Sequence, residues 1–206
     1  LFVGTAERGL WRSLDGGRSF EPSPATPTAD GQPTSINALW ANPDFPQSGL
    51  LIAAADDALF RSADGGQSWQ VAAEGLAPVL CLAGTPDNLA AGLYDEGVVV
   101  SRDGGRTWQA DSSLACRGLA RLVAGGGRLF AYGAMEGAWA SADGASWEPL
   151  DWIGYDALPI SALAAGDSPA GPVILAGTSA GLLAQIGSQT PAPASGPDPA
   201  QGGLIS

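Results

Sequence analysis

The chain has 206 residues, with 9 basic and 21 acidic side chains and a formal net charge of −12. All of the basic residues are arginines, because the sequence contains neither lysine nor histidine. The lack of histidine excludes Ser/His/Asp and Cys/His nucleophilic triads, and 2 cysteines cannot assemble a multi-ligand zinc site. The acidic charge argues against a nucleic-acid groove, since phosphate binding needs a concentrated positive field. No run of about 18 apolar residues is present, so we expect no transmembrane segment in this chain.

The composition predicts a folded chain with many turns and short strands. Hydrophobic residues make up 45% of the sequence and charged residues 15%, and 30 glycines and 16 prolines favour turns over long helices. The sequence begins inside an apparent strand at residues 1–5, without an initiator methionine or a charged leader. We therefore expect further residues upstream of Leu1.

One octapeptide, here called the box, recurs along the chain. It reads Ser-x-Asp-Gly-Gly-x-Ser/Thr-aromatic and starts at Ser13, Ser62 and Ser101, while a fourth copy from Ser141 is one residue shorter. The four serines are 49, 39 and 40 residues apart. The blades of propellers have this length.

The segments that precede each box repeat as well. A short apolar strand, called C, leads into each of the four boxes, at residues 9–13, 58–62, 97–101 and 137–141. A fifth copy of this strand, at residues 181–185, is not followed by a box. An apolar strand B precedes it, at residues 1–5, 50–54, 88–92, 128–132 and 173–177. A strand A comes before B in four units, at residues 36–39, 79–82, 119–122 and 160–163. The fourth strand, D, starts at the aromatic residue of the box.

These elements predict an all-β fold, a β-propeller whose blades are four-stranded antiparallel sheets. About five blades are represented: the first with strands B, C and D, three complete ones, and a fifth with A, B and C. Because ring closure removes exposed sheet edges, we expect upstream residues to supply the missing strands; a piece of a larger ring is the alternative. The propeller is assigned to residues 1–187 and a Pro-rich tail or linker to residues 188–206, with docking of residues 203–206 as an edge strand as the alternative.

The chemistry of the box explains its spacing. The glycines allow positive backbone angles in a tight reversal, and the Asp carboxylate accepts hydrogen bonds from the amides of the turn. The Ser or Thr adds a side-chain bond, and the aromatic ring packs on the sheet. We therefore predict a structural role, with no catalytic residue, metal or cofactor. The predicted box residues are Ser13, Asp15, Gly17, Phe20, Ser62, Asp64, Gly66, Trp69, Ser101, Asp103, Gly105, Trp108, Ser141, Asp143 and Trp147.

At these residues the sequence resembles the Asp-box (BNR) repeat proteins. They include sialidases, xyloglucan-type glycoside hydrolases, sortilin-like receptors, and Ycf48-like photosystem II assembly factors with their bacterial relatives. The pattern Gly-Thr-x-x-x-Gly-Leu-Trp-Arg-Ser-x-Asp-Gly-Gly at residues 4–17 carries the resemblance, which extends to about Gln185. The resemblance implies a propeller and an exported protein (periplasmic, cell-surface or secreted), whereas several unrelated activities share the box.

The hairpins between strands B and C are expected on the face opposite the boxes. Four of the five carry carboxylates, which either attract a basic partner or a divalent cation or form a solvated rim; we favour the rim. The connection after the fourth box adds two aromatic residues, either a platform for a sugar or peptide or a packed loop. The candidate binding residues of this face are Glu7, Asp56, Asp57, Asp95, Glu96, Glu136, Trp152 and Tyr155.

Four further residues lie outside these patterns. Arg121 occupies on strand A the position that Cys81 has in the preceding unit, next to the central channel, where structural pairing is favoured over binding of a carboxylate. Cys81 and Cys116 match no metal or redox spacing, which favours buried thiols over a disulfide. The repeat does not account for Trp40.

We expect a non-catalytic scaffold that binds another protein, as an extracytoplasmic assembly, stability or accessory subunit within a larger membrane-associated complex. The resemblance to Ycf48-like proteins implies an arginine patch, for which Arg8, Arg12, Arg61 and Arg121 are available. The alternative is a carbohydrate-binding or glycoside-hydrolase-type propeller. Hydrolysis needs two carboxylates across a cleft, with candidates among Asp56, Asp95 and Glu136.

Overall fold

The computed structural model describes residues 1–27, 35–85, 87–111, 113–114, 119–133, 137–150, 160–169, 171–178, 181–186 and 192–193. These residues form five antiparallel sheets, one for each predicted unit. Unit one contains β1 (Phe2–Gly4), β2 (Leu10–Arg12) and β3 (Glu21–Pro22). Unit two contains β4 (Ile36–Ala41), α1 (Phe45–Ser48), β5 (Leu51–Ala55), β6 (Ala58–Ser62) and β7 (Gln70–Ala73).

Units three to five have the same strand order. Unit three contains β8 (Val79–Thr85), β9 (Asn88–Leu93), β10 (Gly97–Ser101) and β11 (Gln109–Asp111). Unit four contains β12 (Leu119–Gly125), β13 (Arg128–Gly133), β14 (Gly137–Ser141) and β15 (Glu148–Pro149). Unit five contains β16 (Ile160–Ser168), β17 (Gly171–Thr178), β18 (Gly181–Ile186) and β19 (Ala192–Pro193). The all-β fold and the four-stranded antiparallel blades are confirmed, and no helix within the described ranges is long and apolar enough to span a membrane.

The fourth strand of unit five differs from the sequence analysis, which gave this unit strands A, B and C. Pro193 of β19 pairs with Leu183, as Pro22 pairs with Trp11 and Pro149 with Trp139. Proline cannot donate to a ladder, so it is tolerated on an outer strand whose N–H side faces solvent. The recurring proline was the missed signal, and the division of the chain at residue 187 stays a prediction.

Strands B and C of the middle units are buried because neighbouring sheets cover both of their faces. β5 and β10 are buried along their whole lengths. Such strands are apolar at successive positions, unlike strands with one solvated face. The inner strands β4, β8, β12 and β16 contact one another in succession, and β1 contacts β4. The sheets are therefore stacked face to face around their inner strands.

Each sheet has a leading face, toward the preceding unit, and a trailing face, toward the next. The leading face carries the middle residues of strands B and C and the box aromatic. In unit three these are Ala91, Val99 and Trp108, which pack with the trailing-face residues Ile52 and Leu59 of unit two. The core clusters between units three and four and between units four and five likewise join the trailing face of one sheet to the leading face of the next, although the second has no box aromatic because unit five has no box. The hydrophobic core therefore lies mainly between the sheets.

Two aromatic contacts join neighbouring units. The rings of Phe2 in unit one and Phe45 in α1 meet edge to face, with 5.6 Å between their centroids. The indole of Trp40 is buried, and its Nε1 donates a hydrogen bond to Gly84 O of unit three at 3.1 Å. Trp40, which the repeat leaves unexplained, thus links the inner strands of units two and three by a hydrogen bond.

Candidate functional site

Each box builds a turn that its own side chains hold. In the third box, Ser101 Oγ accepts a hydrogen bond from Gly105 N at 2.9 Å and donates to Asp103 Oδ1 at 2.8 Å. Asp103 Oδ1 accepts from the backbone N–H groups of Arg106 and Thr107, each at 2.9 Å. Asp103 Oδ2 accepts from Thr107 Oγ1 at 2.7 Å. The first two boxes repeat these bonds.

The fourth box makes a similar network with one residue fewer. Ser141 Oγ accepts from Gly144 N at 2.9 Å, and Asp143 Oδ1 accepts from Ser146 N at 2.8 Å. The shorter step from Asp to Trp brings the indole over its own turn, where Trp147 Nε1 donates to Gly144 O at 3.2 Å. The equivalent buried indole nitrogens of the second and third boxes have no such partner in the described part of the chain.

The hydrogen bonds of the turn lower the pKa of the box carboxyl groups. The Ser19 hydroxyl, with the amides of its turn, holds the pKa of Asp15 well below its usual range. The Ser68 hydroxyl and amide lower the pKa of Asp64 to about 2. Backbone N–H groups of its own turn lower the pKa of Asp143 to about 2. These carboxylates are ionised at neutral pH and already hold several donors, which suits a turn and not a general acid.

The box turns also receive hydrogen bonds from the preceding unit. Arg61 Nε donates to Gly104 O in the next unit at 2.7 Å, and Arg102 Nη2 donates to Asp143 O at 3.3 Å. Ser23 Oγ in unit one donates to a carbonyl of the second box at 3.3 Å. The sequence analysis missed these contacts, although an arginine before the box serine is visible in the first two units. The boxes thus join units as well as reverse the chain.

The face opposite the boxes carries the hairpins between strands B and C and is called the hairpin face below. Glu7, Asp56, Asp57, Asp95 and Glu96 are all exposed at its hairpin tips. Asp56 and Asp95 have positive φ angles of 53° and 60°, a conformation that Asp tolerates in tight hairpins. Within the described ranges, no group of at least 3 His, Cys, Asp or Glu side chains is placed to hold a metal ion.

The remaining predicted residues of this face, Glu136, Trp152 and Tyr155, lie outside the described residues, as does Cys116. Cys81 is a buried free thiol whose pKa is raised to about 11 by burial. This agrees with the favoured thiol interpretation for Cys81.

The inner strands carry a feature that the sequence analysis did not predict. All four inner strands β4, β8, β12 and β16 have a bulge at their second residue. The extra residues are Asn37, Leu80, Ala120 and Ser161. Large apolar residues occupy the first and fourth positions of every predicted strand A, and in unit three Leu80 adds one at the second position. The break in alternation between the first and fourth positions was the available signal.

The bulges lie where the chain enters each inner strand from the hairpin face. Leu80 is 42% exposed there, and Asn37 and Ser161 are exposed as well. Arg121, on the adjacent inner strand β12, is also exposed, and its charge acts on the thiol of Cys81. The structure therefore brings an apolar and a cationic side chain to the start of neighbouring inner strands.

The four candidate patch arginines do not gather on one face. Arg12 Nη2 pairs with Glu21 Oε1 at 2.8 Å, at the box end of strand C, and Arg61 is bound to the next box. Arg8 lies at a hairpin tip and Arg121 at the start of an inner strand. Only the last two are available to the hairpin face.

Comparison of sequences identifies the repeat. The sequence model of the BNR/Asp-box repeat matches residues 99–110, which contain the end of β10 and the third box. The chain carries a BNR/Asp-box repeat. The same hydrogen bonds recur in the other boxes, so this repeat builds four of the five units. None of the curated protein sequences matches the chain.

Solved structures with this fold include proteins of different activities. The chain superposes on the structure of YCF48 bound to D1 peptide with a TM-score of 0.64 and 17% identity, over 93% of the chain and 63% of that structure. For the GH74 xyloglucanase from Xanthomonas campestris the TM-score is 0.65 at 20% identity, over 95% of the chain and 36% of the enzyme. For the extracellular domain of a hybrid two component system from B. thetaiotaomicron the TM-score is 0.62 at 13% identity, over 92% of the chain and 26% of that structure.

These likenesses show the propeller fold and a resemblance to Ycf48-like propellers. The chain spans 26% to 63% of the length of these three structures. One of the three is a glycoside hydrolase, one holds a bound peptide, and one is the extracellular domain of a two component system. Fold alone therefore leaves the activity to be argued from the site.

Proposed function

We propose that the chain is a non-catalytic, extracytoplasmic propeller that binds an extended segment of another protein on its hairpin face. The observation that carries the proposal is that Leu80 and Arg121 are both exposed and lie near the starts of the adjacent inner strands β8 and β12. The likeness to YCF48, whose structure holds a peptide, supports a peptide as the ligand. The likeness to the extracellular B. thetaiotaomicron domain supports export.

The chemistry of the two side chains defines the segment they suit. Arg121 offers a planar, permanently charged group for a carboxylate, and Leu80 an apolar contact. Tyr94, which is 58% exposed at the hairpin tip of unit three, adds a rigid aromatic surface on the same face. The acidic hairpin tips would disfavour a segment that is acidic throughout. The matching ligand has one carboxylate beside apolar residues and basic residues farther along.

A phage-displayed library of random dodecapeptides, selected against the 206-residue chain, tests the proposal. We expect enrichment of peptides with a carboxylate next to an apolar residue. Arg121→Ala and Leu80→Asp should each weaken binding of the selected peptides by about tenfold or more. Leu14→Asp is the matched control, because Leu14 is 79% exposed on a box turn at the opposite face. No enrichment, or equal loss of binding in the control, would overturn the proposal.

A carbohydrate-binding or glycoside-hydrolase-type role is the second candidate, supported by the likeness to the xyloglucanase. Xyloglucan oligosaccharides are the probe, measured by calorimetry and by release of reducing ends. Saturable binding that Trp152→Ala abolishes would favour this role over the peptide scaffold. Release of reducing ends that depends on two of the candidate carboxylates would show an enzyme.

A further inference from the structure

The outer strands of the sheets share a position at which the backbone nitrogen is directed away from the sheet. In unit one, Ser23 N donates a hydrogen bond to Leu10 O of strand C at 2.9 Å. Successive residues of a strand direct their N–H groups to opposite edges, so the nitrogen of the preceding residue, Pro22, is directed outward. The residues that occupy this position by register are Pro22, Val71, Ala110, Pro149 and Pro193.

Four of these five outer strands carry a residue that opposes the addition of another strand. Proline in units one, four and five has no N–H to donate at the outward position. In unit three, β11 ends with the acidic Asp111, and charged side chains on an edge oppose pairing. Among the outer strands that the structure describes, β7 alone has neither proline nor charge. Val71 therefore keeps an outward N–H on the one edge without such a guard.

Val71 offers a side chain as well as backbone groups. It is 48% exposed. The bulge of β7 begins after it, with Ala72 as the extra residue, so Gln70 and Val71 keep the regular register with Arg61 and Phe60. Because the N–H and C=O of one strand residue are directed to the same edge, Val71 presents a donor and an acceptor together. The bulge limits the regular edge to a few residues.

We propose that the outer edge of β7 binds an extended, basic segment of another protein, which adds to unit two as a further antiparallel strand. The outward N–H and C=O of Val71 select an extended backbone, and its exposed side chain selects a β-branched or aromatic neighbour on the added strand. Glu74, exposed directly after β7, and the net charge of −12 favour a segment with arginine or lysine. The same charge disfavours a second copy of this chain as the added strand.

This edge is separate from the peptide site on the hairpin face. β7 is the outermost strand of its sheet, whereas Leu80 and Arg121 lie on inner strands. Unit two also lies between units one and three, which contact it from both sides. The open edge of β7 is therefore a property of an interior unit of the sequence.

Fluorescence anisotropy with the labelled hexapeptide Arg-Thr-Val-Thr-Val-Arg and the 206-residue chain tests the proposal. We expect saturable binding of this basic probe. The same peptide with its four central residues N-methylated, and a version with glutamate at both ends, should each bind about tenfold more weakly or worse. Hydrogen exchange of the Val71 amide, followed by NMR, should slow when the basic probe is added, because strand addition pairs that N–H.

Val71→Pro is the decisive variant, because units one and four already hold proline at this register position. It should raise the dissociation constant of the basic probe about tenfold or more. Ala110→Pro, at the same position of unit three, is the matched control and should leave binding unchanged. Val71→Asp, which places a charge on the edge, replaces Val71→Pro if that variant does not fold.

Several results would overturn the proposal. They are no binding of the basic probe at about 1 mM, equal binding by Val71→Pro, and equal loss of binding in Ala110→Pro. Loss of binding in Leu80→Asp would place the probe on the hairpin face, which overturns this proposal and leaves the proposed function standing. Self-association of the chain that Val71→Pro abolishes would make a second copy the occupant, which also overturns it.

Discussion

Comparing two glycine-to-alanine variants of the third box separates two contributions to the free energy of unfolding, the backbone conformation of the turn and the packing of the box on the preceding unit. Gly104 and Gly105 have nearly equal φ angles of 72° and 78°. A Cβ on Gly104 would have its nearest neighbour at 3.7 Å, the tip of the Arg106 side chain. A Cβ on Gly105 would lie 2.3 Å from Cδ1 and 3.2 Å from Cγ1 of Ile52 in unit two. Gly104→Ala is therefore a matched control for Gly105→Ala.

The expected magnitudes follow from these distances. The left-handed conformation costs about 1–2 kcal/mol for alanine, partly offset by about 0.4–1 kcal/mol from the reduced entropy of the unfolded chain. Gly104→Ala should therefore destabilise by about 1 kcal/mol. Gly105→Ala carries the same cost of the left-handed conformation and must also displace the side chain of Ile52, which is fully buried. Overpacking of this kind adds about 1–3 kcal/mol.

Urea unfolding followed by tryptophan fluorescence measures the difference. Ile52→Val completes a double-mutant cycle, because it removes the Cδ1 atom that the new Cβ would meet. Alone it should cost about 0.5–1.5 kcal/mol, but in the Gly105→Ala background it should cost less or restore stability. Equal destabilisation by the two glycine variants, or an additive cycle, would refute the reasoning that the box packs tightly on the preceding unit.

Three further predictions concern the boxes and the buried thiol. Ser101→Ala should lower the free energy of unfolding by about 2–4 kcal/mol, since it leaves the buried N–H of Gly105 unpaired. Thr107→Ala, at the exposed rim of the same turn, should lower it by only about 0.5–1 kcal/mol. Similar urea midpoints for the two variants would contradict this. In the folded chain the pKa of Asp64 is lowered to about 2, so its ionised carboxylate stabilises the fold above its unfolded pKa, and this stabilisation is lost as the pH falls toward 2. The free energy of unfolding should therefore fall less steeply with decreasing pH in Asp64→Asn than in the native chain. Burial raises the pKa of the Cys81 thiol to about 11, so peptide mass spectrometry should find it unmodified by iodoacetamide at pH about 8 in the folded protein and modified in urea.

The box and its strands could be predicted from sequence because their signals are local. The spacing of Ser, Asp and Gly within eight residues fixes one turn, and the hydrogen bonds of Asp103 all go to residues of its own box. The repeats of that turn then set the unit length and the strand order. The strand β19 was missed since it consists of two residues and carries proline, and the pattern of an edge strand that short is not distinctive.

The candidate binding residues were less predictable. The sequence indicated the acidic hairpin tips, and the described ones are exposed as expected. It did not reveal that Leu80 lies on a bulge of the inner strand next to the one that carries Arg121. Exposure of an apolar residue at that point depends on how two sheets meet at their inner strands. Trp40 was equally ambiguous, because its partner Gly84 is 44 residues away.

The sequence by itself determined the repeat, the turn chemistry and the all-β class, because each rests on interactions within about ten residues. Only the tertiary structure decided which apolar side chains are covered. Phe20 and Trp147 occupy the same position in their boxes, yet one is exposed and the other buried, because burial depends on whether another sheet lies against that face.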